Sequence, residues 1–150
     1  MPTAQHATII IERPFKAPPA RVFAAWSSQT AKRSWFAEGE GWKVLNFALD
    51  FREGGTETSR FAAPDGVEHA NETVFHDIVA NQRIIFSYSM LMNGVRHSVS
   101  LATIDVRPDG VGTRLIFTEQ GAFFDGGDGP KMREMGWTEL LNALAKHLGE

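Results

Sequence analysis

The chain has 150 residues, 43% of them hydrophobic and 22% charged, with 15 Lys and Arg against 18 Asp and Glu for a net charge of −3. This is the composition of a globular chain able to bury an ordinary core, and it excludes a disordered or fibrous chain and a membrane-spanning segment. With no cysteine, disulfides, thiolate-held metal and a cysteine nucleophile are excluded, and the pairs Lys32-Arg33 and Arg96-His97 are too small to make a nucleic-acid-binding face.

Met1 to His6 carries no basic stretch followed by an apolar run, so a cytoplasmic location is the expectation. Thr8 to Phe15 is rich in β-branched residues and reads as a first strand, closing near Pro14. Pro18-Pro19 then suits the first turn of a helix that places Val22, Phe23 and Trp26 on one face. Ser28 can cap a second short helix carrying Trp35 and Phe36.

From Lys43 the period changes to two. Leu45, Phe47, Leu49 and Phe51 alternate with Val44, Asn46, Ala48 and Asp50, which predicts a strand with the first set on one face. Gly54-Gly55 supplies a turn, and strands are expected over Thr56 to Phe61, Glu68 to Val79, Arg83 to Met92, Val95 to Arg107 and Thr113 to Gln120. Their short connections favour an antiparallel meander. In the strand from Glu68 to Val79 the inward face is open, because Val74 and Ile78 argue for one side and Phe75 and Val79 for the other.

The glycine-rich stretch Gly121 to Pro130 reads as a loop. After it, Met132, Met135, Trp137, Leu140, Leu141, Leu144 and Leu148 recur at helical spacing, which predicts a long closing helix from Lys131 to Leu148. Without an internal repeat or a long linker, the chain is expected to form one domain over residues 1–150. Strands followed by a segregated helix make an α+β protein, with an antiparallel sheet covering the apolar stripe of that helix.

Several short motifs occur in the order found in a known family. They are Phe15-Lys16-Ala17-Pro18, Arg21-Val22-Phe23, Trp35-Phe36, Asp50-Phe51-Arg52-Glu53-Gly54-Gly55 and Arg83-Ile84-Ile85-Phe86, then Gly112-Thr113-Arg114-Leu115 with Thr118-Glu119-Gln120-Gly121, and Gly136-Trp137 with Leu140-Leu141. Together they resemble the START-related (SRPBCC) superfamily, and within it the polyketide-cyclase-like homologues of the activator of the heat-shock protein 90 ATPase. The resemblance spans Thr8 to Leu148 and implies a helix-grip fold, in which a curved antiparallel sheet wraps a long C-terminal helix and two short helices follow the first strand. Where the family has T-D-P-E between those helices, this chain reads Ser27-Ser28-Gln29-Thr30.

The five histidines lack metal-ligand spacing, and no nucleotide, dinucleotide or serine-hydrolase motif occurs, so neither a metal nor a cofactor is expected. Glu119 shares a strand face with Leu115 and Phe117 and can pair with Arg60 or Arg133, bind a ligand amine or act as an acid or base. Tyr88, on one face with Ile84, Phe86 and Met90, can give a buried ligand a directional hydrogen bond, and His97 is either a polar handle in a cavity or an exposed edge residue. The expected lining of a cavity between sheet and closing helix is Trp35, Phe36, Phe86, Tyr88, Met90, Phe117, Glu119, Met132, Met135 and Trp137. Such a lining suits a small hydrophobic or aromatic ligand. The alternatives are a cyclase-like or hydrolytic enzyme using Glu119, Tyr88 or His97, and a chaperone-interacting stress-response module. The expected assembly is a monomer or a homodimer.

Overall fold

Alternating apolar and polar residues build seven antiparallel strands in the computed structural model, which describes residues 3–150. They are β1 (Ala4–Phe15), β2 (Lys43–Leu49), β3 (Thr56–Ala62), β4 (Glu68–Val79), β5 (Arg83–Met92), β6 (Val95–Asp109) and β7 (Gly112–Phe124), in the spatial order β1-β7-β6-β5-β4-β3-β2. Pro14 is tolerated because β1 is an edge strand, where a missing ladder donor faces no second neighbour. Helix α1 (Pro19–Ser27) starts with Pro19 in its first turn, and α2 (Gln29–Lys32) is capped by Ser28 Oγ, which accepts from Ala31 N at 3.3 Å. A π-helical turn (Arg33–Ala37) continues α2. The closing helix α3 (Gly129–His147) packs against β1, β7 and the π turn, which is the helix-grip arrangement expected from the order of elements.

The hairpin turns follow from their residues. Asn93 and Gly94 both have positive φ, the signature of the tight turn that joins β5 to β6. At Gly55 the requirement is space, since a Cβ there would lie 2.2 Å from the Asp50 carbonyl oxygen.

Three departures from strict alternation correct the sequence expectations. A bulge between Val44 and Asn46 turns Leu45 outward, so the inward series of β2 keeps Phe47 but not Leu45. A second bulge, between Phe75 and Asp77, resolves the parity of β4 by satisfying both readings. Phe75 points inward before the bulge, and Ile78 packs on the core after it, opposite Ile84. The third makes His97 the extra residue of β6, because Met90 pairs with Ser98 while Leu91 pairs with Arg96. Another correction concerns Gly121 to Phe124, expected in a loop. They extend β7, because β1 begins at Ala4 and pairs with them from one side while Ser98 to Ser100 pair from the other.

The core joins Val22, Phe23 and Trp26 of α1 to Phe75, Ile84, Phe86, Ile104, Leu115 and Phe117 of the sheet and to Trp137, Leu141 and Leu144 of α3. Within it lies a charged pair. Lys32 is buried, its Nζ donating to Glu57 Oε1 at 2.5 Å and standing 4.8 to 5.9 Å from the ring centres of Phe36, Trp26, Phe86 and Phe75. This residue therefore belongs to no surface basic pair. It pins α2 and the π turn to β3, and the rings lend a cation–π contribution. Removing one partner of such a pair leaves an uncompensated buried charge, whereas removing both need not. Lys32→Met is expected to lose about 3–5 kcal/mol of unfolding free energy in urea titration, and the double variant Lys32→Met/Glu57→Leu to recover most of that loss.

Candidate functional site

The inner face of the sheet changes character along its strands. Toward one end the cross-strand rows are apolar, with Ile78, Ile84, Ile104 and Phe117 aligned beneath α3. Toward the other end they turn polar, as Ser59, Asn71, Met90 and Ser98 form one row and Glu57, Thr73, Tyr88 and Ser100 the next. All of these polar side chains are buried. Over this end α3 does not close down on the sheet, and a cavity of about 780 Å³ remains between them.

Trp35, Phe36, Tyr88, Met90, Met132 and Trp137, expected to line a cavity, do so, joined by His97. Phe86 and Phe117 are instead consumed by the core, Phe117 packing 4.4 Å from Trp137 between ring centres. Met135 is 56% exposed and lies away from the cavity, because two residues along a helix place it nearly opposite Trp137. Glu119 has no exposed surface and sits behind the wall. The sequence reading missed Trp42, Phe61, His69, Asn71, Met92 and Arg133. Asn71 and Arg133 look like solvent-facing residues in a local pattern, and only the aromatic pair of Trp42 with Phe61, 6.1 Å between centres, carries a compositional hint.

A polar clasp forms the inner wall. Tyr88 donates its hydroxyl hydrogen to Glu119 Oε1 at 2.5 Å and accepts from Trp137 Nε1 and Arg133 Nη1, each at 3.1 Å. Ser100 Oγ and Arg133 Nη1 donate to Glu119 Oε2 at 2.7 and 2.8 Å, and Arg133 Nη2 donates to Ser98 Oγ at 2.6 Å. Of the two partners open to Glu119, Arg133 is the one that forms; Arg60 pairs with Glu68. Burial, reinforced by the Glu119 charge, pushes the Tyr88 hydroxyl far above its ordinary range, so it stays protonated and acts as a donor.

His97 is only 5% exposed, although its place at the start of β6 also allowed an exposed edge residue. The bulge directs it and the following Ser98 to the same side. Neither ring nitrogen has a hydrogen-bond partner among the described residues, and Asn71 Oδ1, also buried, has none. Gly127 lies against the ring so closely that a Cβ would fall 2.7 Å from His97 Nδ1. Among the described residues, no group of three or more His, Asp or Glu side chains is placed to hold a metal ion, and no helix is long and apolar enough to cross a membrane.

A family model described as activator of Hsp90 ATPase homolog 1-like protein matches residues 16–149. The chain belongs to that family. As a member of the activator-homologue family it resembles a solved protein of Rhizobium leguminosarum at 44% identity, over 99% of this chain and 98% of that one, with a TM-score of 0.94. A protein of Rhizobium loti is 46% identical over 97% of this chain and 99% of that one, at a TM-score of 0.89. DynU16, a protein of the dynemicin biosynthetic locus, shares the fold at 17% identity and a TM-score of 0.72, over 95% of this chain and 47% of that one. No functionally curated protein matches the chain.

In this activator-homologue chain His97 is held below its ordinary value of 6.5, chiefly by burial and then by the Arg133 charge and His69, with Asp128 opposing. The unfolded chain therefore binds the proton more readily than the folded one. The stability held by neutral His97 is complete above pH 6.5 and is lost as pH falls from there through the lower folded value. Thermal unfolding between pH 7.5 and 5 is expected to show a falling midpoint, with a smaller fall in His97→Phe than in the unaltered protein.

Proposed function

We propose that the protein binds a small hydrophobic or aromatic molecule in the cavity between the concave sheet and α3. The observation that carries this reading is the cavity itself, about 780 Å³ with Trp35, Phe36, Trp42, Phe61, Met90 and Trp137 in its lining. That volume falls within the usual range for small-molecule sites, and flat rings with adaptable thioethers suit an apolar guest. The family assignment agrees with a ligand-binding fold. Acid–base catalysis by Glu119 is the weaker reading, because its carboxylate is enclosed and both oxygens already accept hydrogen bonds. A chaperone contact rests on the family description alone, whereas the small-molecule reading rests on side chains of this chain.

Gly136 supports the same reading. It stands within the unbroken α3 at the cavity wall, where a Cβ would meet nothing within 4 Å, although glycine inside a helix costs about 1 kcal/mol relative to alanine. A larger side chain there has room to enter the open space at the cavity rim. A thermal-shift screen of lipids, polyketides and flat aromatics is expected to find ligands that stabilise the protein by about 2.7 kcal/mol at a hundredfold excess over Kd. Gly136→Trp is expected to remain folded and to abolish those shifts. A broad panel with no stabilising compound refutes the reading.

A further inference from the structure

Given the small-molecule reading, on which this inference rests, the mouth of the cavity constrains the charge of its guest. Polar atoms of the inner wall are spent within the protein. The Tyr88 hydroxyl donates to Glu119 and accepts from Trp137 Nε1 and Arg133, Arg133 donates to Glu119 and Ser98, and Trp35 Nε1 donates to Ala25 O. Asn71 Oδ1 and both His97 ring nitrogens are sealed from the cavity, each with under 1 Å² of accessible surface. A guest therefore meets chiefly rings and thioethers at depth, and a polar end is read at the mouth.

The exposed part of the lining is acidic. Asp65 in the turn between β3 and β4, Asp128 in the connection before α3 and Glu139 within α3 are exposed residues that line this one cavity from three separate segments. None of them has a salt-bridge partner among the described residues. Asp65 Oδ1 accepts from the Val67 amide at 2.9 Å, and Asp128, which precedes α3, makes no side-chain capping bond. Glu38, a further carboxylate of the lining, is paired with Arg33 at 3.3 Å. No lysine belongs to the lining among the described residues, and the lining arginine, Arg133, lies 2.8 Å from Glu119 with its side chain only 10% exposed. His97 has its nitrogens enclosed, and His69 packs on Trp42 with 5.2 Å between ring centres.

Trp42 adds a second attraction. It is 39% exposed, whereas Trp35 and Trp137 are 4% exposed each, so its ring belongs to the mouth and theirs to the interior. An organic cation is drawn both to the face of an indole and to carboxylates set on the rim of an apolar cleft. An anion of the same shape meets three uncompensated negative charges instead. The carboxylates do not make the site, which the aromatic cavity provides; they set the charge that it admits.

We propose that the cavity selects a cationic amphiphile, its flat apolar body seated among Trp35, Phe36 and Trp137 and its ammonium group left at the mouth toward Trp42, Asp65, Asp128 and Glu139. The three carboxylates and Trp42 are then specificity-determining residues, while burial of the apolar body supplies most of the affinity.

Three probes that share a naphthylmethyl body and differ in the end group test this: naphthylmethyl trimethylammonium, naphthylmethanol and naphthylacetate. Calorimetric titration at pH 8 and low salt is expected to show the ammonium probe binding about tenfold tighter than the acetate, and the gap is expected to narrow in about 0.5 M salt. In Asp65→Asn/Asp128→Asn/Glu139→Gln, which keeps the size of each side chain, the gap should fall to about twofold. Asp105→Asn/Asp109→Asn/Glu134→Gln removes the same charge from residues outside the lining and should keep the gap, which separates a local effect from the net charge of the chain. The probe series on the unaltered protein stands even if a variant fails to fold. Equal binding of ammonium and acetate, tightest binding of the acetate or the alcohol, a gap that survives loss of the three lining carboxylates, or one lost equally in the control variant overturns the inference and leaves the small-molecule reading intact. Binding of none of the three probes overturns the inference, and the broad panel then decides separately whether the cavity binds small molecules at all.

Discussion

The hold of Arg133 on Glu119 sets the shape of the molecule. It joins the first half of α3 to β7 through a carboxylate with no exposed surface, and the bridge is completed by Tyr88 from β5 and Ser98 and Ser100 from β6. A charged pair out of water is sustained only when its remaining lone pairs and protons are satisfied, and here both Glu119 oxygens accept, from Tyr88, Ser100 and Arg133, while Arg133 also donates to Tyr88 and Ser98. The second half of α3 needs no such device, since Leu141, Leu144 and Ala145 bury directly against the core. One half of the helix is thus packed by apolar contact and the other is held by hydrogen bonds. The cavity borders the held half through Met132, Arg133, Gly136 and Trp137 and continues past Leu140 and Ala143.

Irregularities place the site as much as regular structure does. The π turn after α2 brings Trp35, Phe36 and Ala37 to the cavity, with Trp35 Nε1 donating to Ala25 O at 2.9 Å and so fixing its ring against α1. Lys32 anchors the start of that turn through Glu57. The β6 bulge swings His97 inward at the far side of the same space, and Gly127, in the short connection before α3, leaves room for its ring. Such local departures from ideal geometry are frequent where a side chain must be aimed rather than merely packed.

Much of this was legible in the residues. Period-two alternation found the strands, the spacing of Trp137, Leu141 and Leu144 found the long helix, and the ordered motifs from Phe15 to Leu141 pointed to the family that the comparison establishes. The aromatic part of the cavity was legible too, through Trp35, Phe36 and Trp137. Its polar part was not, apart from His97 and Tyr88. Asn71 and Arg133 occupy positions where a local pattern assigns solvent, and Phe86 and Phe117 were drawn into the core because helix and sheet meet closely over them.

The amino-acid sequence by itself determined the elements, their order, the α+β class and the apolar stripe that α3 must bury, because each of these depends on neighbours a few positions away. Tertiary structure alone decided which side of a bulged strand faces inward and which distant charges meet. Lys32 finds Glu57 across 25 residues, and Arg133, paired with Glu119, also finds the Ser98 hydroxyl across 35, separations that no local periodicity encodes. The physical reason is that a single extra residue reverses the parity of everything after it, and the partner of a buried charge is chosen by how sheet and helix curve around one another.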